Sequence, residues 1–281
     1  MPSSTKKPTK TETTSAATPA TTTVPPELAA GLREIGLRSF DDSLDDFIAR
    51  ATTARCSVTQ ILEQIVAAER TERARRSVER HLGRAHLGRF KPMCDFDWNW
   101  PRAIDRETVE RILTLGFIGR SDNVVLVAPQ GLGKTMIAKN VVHAAVLAGH
   151  SALFVTASDL LLDLSKQDTA RALERRLRHY ASYHVLAVDE IGYLSYDNHA
   201  ADLLFQIITR RYEKRPVILT TNLAFSAWDV VFPNAACATA LIDRLTHHAE
   251  IVSIEGQSYR KREAEERKKS RRDKGGARNG S

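Results

Sequence analysis

The sequence predicts an α/β fold in which a parallel β-sheet with flanking helices follows a small all-helical N-terminal domain. Two observations lead to this prediction. From Asp105 onward, short β-branched and aliphatic runs alternate with helical patterns, which is typical of a parallel sheet covered on both faces. Between residues 27 and 87, apolar side chains such as Leu28, Leu32 and Ile35 recur at helical spacing, which favours a separate helical unit.

The strand candidates have apolar centres, which implies that both faces of the sheet are buried. They are Asn123 to Val127, Ala152 to Val155, His184 to Val188, Pro216 to Thr220 and Glu250 to Ile254. A chain of 281 residues is long enough for two folded units. The predicted organisation is a disordered tail at 1–24, a helical domain at 25–92, the α/β domain at 93–258 and a basic tail at 259–281.

Charge and cysteine usage narrow the class of protein. The formal net charge is +7, from 41 Lys and Arg against 34 Asp and Glu, and such a surplus favours polyanionic partners such as nucleic acid. The three cysteines form no CxxC pair, which argues against a disulfide framework or a cysteine-rich zinc site. With neither a signal-peptide run nor a bilayer-length apolar run in the sequence, we expect a cytoplasmic protein without membrane contact.

Two basic segments are candidates for phosphate contact. Between Arg70 and Lys91, eight Lys or Arg residues stand against two glutamates, and this segment is either a solvated helix face or a phosphate-binding stripe. The C-terminal tail carries ten Lys or Arg residues between positions 260 and 278 and should be mobile unless a partner orders it. The aromatic residues Phe96, Trp98 and Trp100 are expected to pack the two domains together rather than to stack on a base.

A phosphate-binding loop follows the first strand candidate and precedes a helix predicted over Met136 to Leu147. Two glycines, Gly131 and Gly133, let successive backbone N–H groups turn toward phosphate oxygens at the positive end of that helix. Lys134 would neutralise the β and γ phosphates, and the Thr135 hydroxyl would bind Mg²⁺. The predicted ATP-binding residues of this loop are Ala128, Pro129, Gln130, Gly131, Leu132, Gly133, Lys134 and Thr135.

One position departs from the commonest form of this loop motif, because Ala128 stands where glycine is more usual. If the backbone there required a positive φ, the methyl group would cost about 1–2 kcal/mol. The sequence therefore leaves open whether ATP binding is weakened.

Polar residues at the ends of two further strands complete the predicted site. Asp189 and Glu190 end the strand that begins at His184, so Asp189 can share the Mg²⁺ with Thr135 while Glu190 acts as general base. Asn222 follows another strand and could orient the attacking water or contact the γ phosphate. The alternatives are purely structural: the two carboxylates would only cap the end of the strand, and Asn222 would be a helix N-cap.

Taken together, the strings APQGLGKT, VDEIGYL, TTN and ALIDRLTHHAEIVSIEGQSYR resemble the IstB-like family, which is related to the DnaC helicase loader and the DnaA initiator within AAA+. The upstream LREIGLRSFDDSLDDFI and CDFDWNW extend the resemblance over roughly residues 28–262. The resemblance implies a P-loop AAA+ domain whose ATPase activity accompanies assembly on double-stranded DNA. It also implies that the protein recruits and stimulates a cognate, IstA-like transposase.

The same resemblance implies a homo-oligomer with ATP sites shared between subunits. Arg244, in DRL, matches the family's arginine finger, and Arg260, in SYR, matches a sensor-like arginine. Without the family, Arg244 is an arginine of an amphipathic helix that would form a surface salt bridge. His247 and His248 are adjacent, and an adjacent histidine pair does not by itself predict a metal site or a catalytic role.

Three other functions remain as alternatives. A DnaC-like helicase loader would share the ATPase core, and a transposase reading frame beside the gene would argue against it. A nucleotide-gated binding module without hydrolysis would not need Glu190. A small-molecule kinase would need an acceptor pocket and a lid, and no segment of the sequence suggests either.

Overall fold

The computed structural model describes residues 24–40, 43–193, 195–233 and 235–263. The chain divides into two compact units, Met1–Arg75 and Arg76–Ser281. The predicted N-terminal tail up to residue 23 and the basic tail beyond residue 263 lie outside the described residues. Within the described ranges, no helix combines the length and the apolar character needed to cross a membrane.

The first unit contains α1 (Pro26–Glu34), α2 (Leu44–Thr53) and the beginning of α3 (Val58–Arg84). Its buried acidic residue, Glu69, accepts hydrogen bonds from the backbone N–H groups of Arg38 (2.9 Å) and Ser39 (3.0 Å). The Arg73 guanidinium, 2.7 Å away, and these N–H groups lower the pKa of Glu69 to about 2. Glu69 therefore fixes the segment after α1 against α3.

The second unit has helices on both faces of one sheet. In chain order its elements are β1 (Ala103–Ile104), α4 (Arg106–Leu113), α5 (Gly116–Arg120), β2 (Asn123–Val127), α6 (Lys134–Leu147), β3 (Ala152–Thr156), α7 (Ala157–Ser165), α8 (Ala170–Ser182), β4 (Val185–Ile191), α9 (Asn198–Arg211), β5 (Val217–Thr221), α10 (Ala235–Thr246) and β6 (Ala249–Glu255). Short 3₁₀ helices cover Met93–Asp95 and Phe225–Val230.

The sheet has the strand order β1-β6-β2-β5-β4-β3. Strands β2 to β6 pair in parallel, and β1 pairs antiparallel with β6 at the edge. The predicted α/β class and parallel sheet are confirmed. Strand β1 was not predicted, because two residues are too few to carry a two-residue alternation. In this order β5 lies between β2 and β4, so the carboxyl ends of these three strands form one edge.

Residues 76–92 belong to the second unit, although the sequence analysis assigned them to the helical domain. Ala85 and Leu87 are buried in the core formed with α4 and α6. The Ala85 carbonyl accepts a hydrogen bond from the Phe154 N–H at 2.9 Å, and the Leu87 carbonyl accepts one from Lys139 Nζ at 2.6 Å. Helical spacing identifies an apolar face but does not specify the core against which that face packs.

A buried arginine holds three elements together at the opposite edge of the sheet. Arg211, at the end of α9, is 1% exposed. Its guanidinium donates to five backbone carbonyls at the end of α8 and just before β4 and β5, those of Tyr180, Ala181, Tyr183, His184 and Pro216. Burial lowers the pKa of Arg211 to about 9.

Candidate nucleotide site

A cavity of about 390 Å³ lies at the carboxyl ends of β2, β4 and β5. Parallel α/β sheets bind ligands at this edge, where loops leave the strands. Among the predicted site residues, those that line the cavity are Gln130, Gly131, Leu132, Gly133, Lys134, Thr135, Glu190, Asn222 and Arg260.

Glycine is required at two positions of the loop, because the backbone there has a positive φ and neighbouring side chains leave no room for a Cβ. Gly131 and Gly133 have φ values of 81° and 92°, in the left-handed region that side chains disfavour. A Cβ on Gly133 would lie 2.6 Å from Cε2 of Phe96, and one on Gly131 would overlap the Ser258 hydroxyl. A side chain at either position would therefore strain the loop and clash with a neighbouring residue.

Ala128, the departure from the usual motif, does not have a positive φ. It is 2% exposed, and its N–H donates to the Thr221 carbonyl at 3.1 Å. The conformational cost considered for this methyl group therefore does not arise.

Lys134, the first residue of α6, lies within the loop. Its ammonium donates to the carbonyl oxygens of Ala128 at 2.5 Å and Pro129 at 2.9 Å. Burial lowers the pKa of Lys134, and Arg260 lowers it further, whereas Asp189 and Glu190 act in the opposite direction. An anionic ligand would offset the desolvation of this ammonium.

Asp189 and Thr135 are brought together as predicted. The Thr135 hydroxyl lies 3.0 Å and 3.2 Å from the two carboxylate oxygens of Asp189. Thr220 in β5 donates a second hydroxyl hydrogen bond to the same carboxylate. Mg²⁺ prefers a few protein oxygens together with phosphate and water, and a hydroxyl beside a buried carboxylate fits that preference.

Glu190 has an unusual backbone conformation. Its φ is 63°, and the pairing of β4 with β5 shifts register between Val188 and Ile191. The Glu190 N–H donates to Thr220 Oγ1 at 3.0 Å. A bulge of this kind redirects a side chain; here the exposed Glu190 side chain lines the cavity while Asp189 stays buried.

Asn222 and Arg260 also line the cavity. The Oδ1 atom of Asn222 is buried and has no hydrogen-bond partner among the described residues. Buried polar atoms are nearly always hydrogen-bonded, so this acceptor is suited to a donor from a bound molecule. Arg260 lies in a segment, residues 259–263, that is helical and therefore differs from the predicted mobile tail.

Arg244 is not brought to this cavity. The side chain of Asn123, the first residue of β2, donates to the Arg244 carbonyl at 3.3 Å, whereas the phosphate loop follows the last residue of β2. Four residue steps along β2 separate these positions by about 13 Å. The Arg244 guanidinium lies over the Phe205 ring at 4.7 Å and donates to the Ala240 carbonyl at 3.0 Å.

Several cavity residues were missed by the sequence analysis. Phe96 and Trp100 line the cavity, together with Tyr259. The sequence had instead predicted that Phe96 and Trp100 pack the two domains together. The Tyr259 N–H donates to the Gly131 carbonyl at 2.9 Å. An aromatic cluster at the beginning of the α/β domain was a usable signal, because flat rings commonly line sites for heterocycles. Thr220 gave no comparable signal, since a threonine near the end of a strand is ordinary.

The basic segment from Arg70 to Lys91 is partly neutralised within α3. Arg73 forms an ion pair with Glu69, and Arg75 forms one with Glu72, both at 2.7 Å. Some of its arginines therefore stabilise the helix, as in the solvated-face interpretation. Arg80 and Arg84 are exposed and remain candidates for phosphate contact.

A family model described as IstB-like ATP binding protein matches residues 30–267. The chain belongs to this IstB-like family. A relative named for insertion sequence IS5376 of Geobacillus stearothermophilus is 37% identical, covering 76% of this chain and 85% of its own length. The counterpart of IS232 from Bacillus thuringiensis is 35% identical, covering 83% and 94%. Both relatives are named as ATP-binding proteins.

Solved structures with similar folds come from replication proteins. DnaI matches 60% of the IstB-like chain and 92% of its own, with 20% identity and a TM-score of 0.48. AMPPCP-bound DnaA from Aquifex aeolicus matches 53% and 44%, with 20% identity and a TM-score of 0.45. The resemblance to the IstB-like family found in the sequence is confirmed by the family match.

Proposed function

We propose that this protein is a DNA-dependent ATPase that assembles head to tail on double-stranded DNA and assists the transposase of its insertion sequence. One observation carries the proposal. The loop, Glu190 and Asn222 line the cavity, and Asp189 contacts Thr135 of that loop, but Arg244 lies at the other end of β2. A second copy of the chain would supply the missing cation.

Within one chain, the residues of the cavity have complementary roles. The loop N–H groups and Lys134 bind the β and γ phosphates. Glu190 takes the proton of the water that attacks the γ phosphorus, and the bond to ADP breaks in line with that attack. Asn222 Oδ1 accepts a hydrogen bond from the water and orients it. Arg260, beside Lys134, contacts the γ phosphate from the same chain.

Thr135 and Asp189 would hold Mg²⁺. When bound, this ion neutralises charge on the β and γ phosphates. The oxygen donors already in place fit the ion, and Thr220 orients the Asp189 carboxylate through its hydroxyl.

Family membership supports the choice of partners. The relatives are named for insertion sequences, so a transposase encoded with the protein is the expected protein partner. The net charge of +7 and exposed arginines in α3 favour contact with DNA phosphates. Such contacts position a protein on DNA and carry little sequence information.

The proposal is tested by ATP hydrolysis with and without duplex DNA, for wild type, Lys134→Ala and Arg244→Ala. We expect DNA to stimulate the wild type and each variant to lose turnover, by on the order of 1,000-fold for the arginine. In an equal mixture, an Arg244→Ala chain supplies an intact cavity and a Lys134→Ala chain supplies an intact arginine. These two meet in the productive order at roughly one quarter of the junctions of a head-to-tail assembly. Turnover should therefore recover to about that fraction.

Arg178→Ala is the matched control, because Arg178 is an exposed arginine whose partner is Glu174. It should hydrolyse ATP like the wild type. Near-normal turnover by Arg244→Ala alone, or no recovery on mixing two folded variants, would contradict the shared site. Equal turnover with and without duplex DNA would contradict the DNA-dependent part of the proposal.

A further inference from the structure

Two turns at the edge of the sheet opposite the nucleotide cavity bring together three metal-binding side chains. Glu213 follows α9, while His247 and His248 lie between α10 and β6. One donor atom from each of the three residues lies within 4.8 Å of the other two, and all three side chains are exposed. The carboxylate of this cluster thus comes from a residue 34 positions before His247.

The backbone of each contributing turn is anchored. The His247 N–H donates to the Asp243 carbonyl at 3.0 Å, and the His248 carbonyl accepts from the Asn123 N–H at 2.7 Å. Glu213 has a φ of 55°, an uncommon conformation for a residue with a side chain. The hydrogen bond from the Lys214 N–H to the Arg211 carbonyl, at 2.9 Å, closes this turn. The donors therefore extend from fixed positions.

Contacts among the side chains orient the rings. The Tyr212 hydroxyl lies 2.8 Å from Nδ1 of His247, and a Glu213 carboxylate oxygen lies 3.7 Å from the same nitrogen. The centroids of the two imidazoles are 4.1 Å apart. A hydrogen bond to one nitrogen of a histidine commonly fixes its ring for ligation through the other.

We propose that Glu213, His247 and His248 bind Zn²⁺ or another divalent transition metal that prefers imidazole, with water completing the coordination. Two histidines and one carboxylate form a known three-ligand zinc set. Ligand distances of about 2.0–2.2 Å place tetrahedral donors about 3.4 Å apart. The donors, which lie within 4.8 Å of one another, must therefore close by at most about 1.4 Å, which exposed side chains achieve by changing rotamer.

A metal ion at this site would link two turns of the fold next to Arg244. Arg244, Glu213 and His248 line one cavity of about 270 Å³. A metal bound there would tie the turn after α9 to the turn after α10, the helix that carries Arg244. The binding itself requires neither ATP nor a second copy of the chain, so this site stands apart from the proposed ATPase activity.

The test is titration of the full-length, nucleotide-free protein with Zn²⁺ by calorimetry, and with Co²⁺ by visible absorption. We expect one ion per chain, retained in excess Mg²⁺ because Mg²⁺ prefers oxygen ligands, and Co²⁺ bands typical of a four-coordinate site. His248→Ala and Glu213→Gln should each weaken binding by about 100-fold or more. Tyr212→Phe should weaken it by about 10-fold, through ring orientation.

His199→Ala is the control, because His199 is exposed and lies outside the cluster. It should bind like the wild type. Circular dichroism establishes that each variant is folded. Absence of Zn²⁺ binding by the wild type up to millimolar concentration would overturn the proposal, as would unchanged affinity in folded His248→Ala and Glu213→Gln.

Discussion

At the scale of single residues, the bulge in β4 gives the two acids at the end of that strand different environments. Asp189 is 3% exposed and bonded to two hydroxyls, whereas Glu190 is exposed at a left-handed φ. The sequence predicted both acids at the edge of the sheet where the phosphate loop begins, because parallel strands end together. It could not predict the bulge, which depends on pairing with β5.

Glu190→Gln separates nucleotide binding from hydrolysis. Glutamine keeps the size of the side chain but cannot take a proton from water, so turnover should fall by about 100-fold to 10,000-fold. ATP affinity, measured with a fluorescent analogue, should stay within about two-fold of the wild type. Glu110→Gln is the control, because Glu110 pairs with Arg106 on the surface. Equal, slow hydrolysis by wild type and Glu190→Gln would favour the nucleotide-gated binding module instead.

At the scale of elements, the five predicted strands agree with the structure to within a few residues, and α6 begins two residues earlier than predicted. Apolar runs flanked by turns are strong signals for buried strands. Such signals could not predict the role of Arg211, because an arginine in the last turn of a helix is usually solvated. Its five carbonyl partners come from three different segments.

Arg211→Met should destabilise the second unit. The substitution removes hydrogen bonds to five carbonyls in a buried region, and buried polar groups left unpaired cost about 1–3 kcal/mol each before relaxation. We expect the free energy of unfolding to fall by at least about 3 kcal/mol, measured by urea denaturation. Arg171→Met, at an exposed position of α8, should change it by less than about 0.5 kcal/mol. A similarly small effect at Arg211 would contradict a stabilising role for its hydrogen bonds to the five carbonyls.

At the scale of the whole molecule, two folded units were predictable from length and pattern, but the division between them was not. The structure divides the chain at Arg75 and Arg76, within α3, whereas the sequence analysis ended the helical domain at residue 92. A long helix shows no change of period where its contacts change. The function of its arginines is likewise a property of the folded surface.

The proposed binding of DNA by these arginines predicts that affinity depends steeply on salt concentration. Each phosphate contact contributes about −0.9 to the slope of log affinity against log salt concentration. Replacing Arg80 and Arg84 together by alanine should therefore make the slope shallower by about 2 units, measured by fluorescence anisotropy on duplex DNA. Replacing Arg102 and Arg178, which have surface partners in Glu255 and Glu174, should not. A flat response of the wild type would exclude phosphate-driven binding.

The separation of Arg244 from the loop along β2 gives any row of these chains a polarity. One face offers an arginine and the other offers an incomplete cavity, so the two ends of an open row differ. Such a row has one complete site fewer than it has chains, whereas a closed ring leaves none incomplete. If Arg244 completes the cavity of the next chain, as proposed, the chain whose cavity receives no arginine would keep its ATP longest and would cap the row.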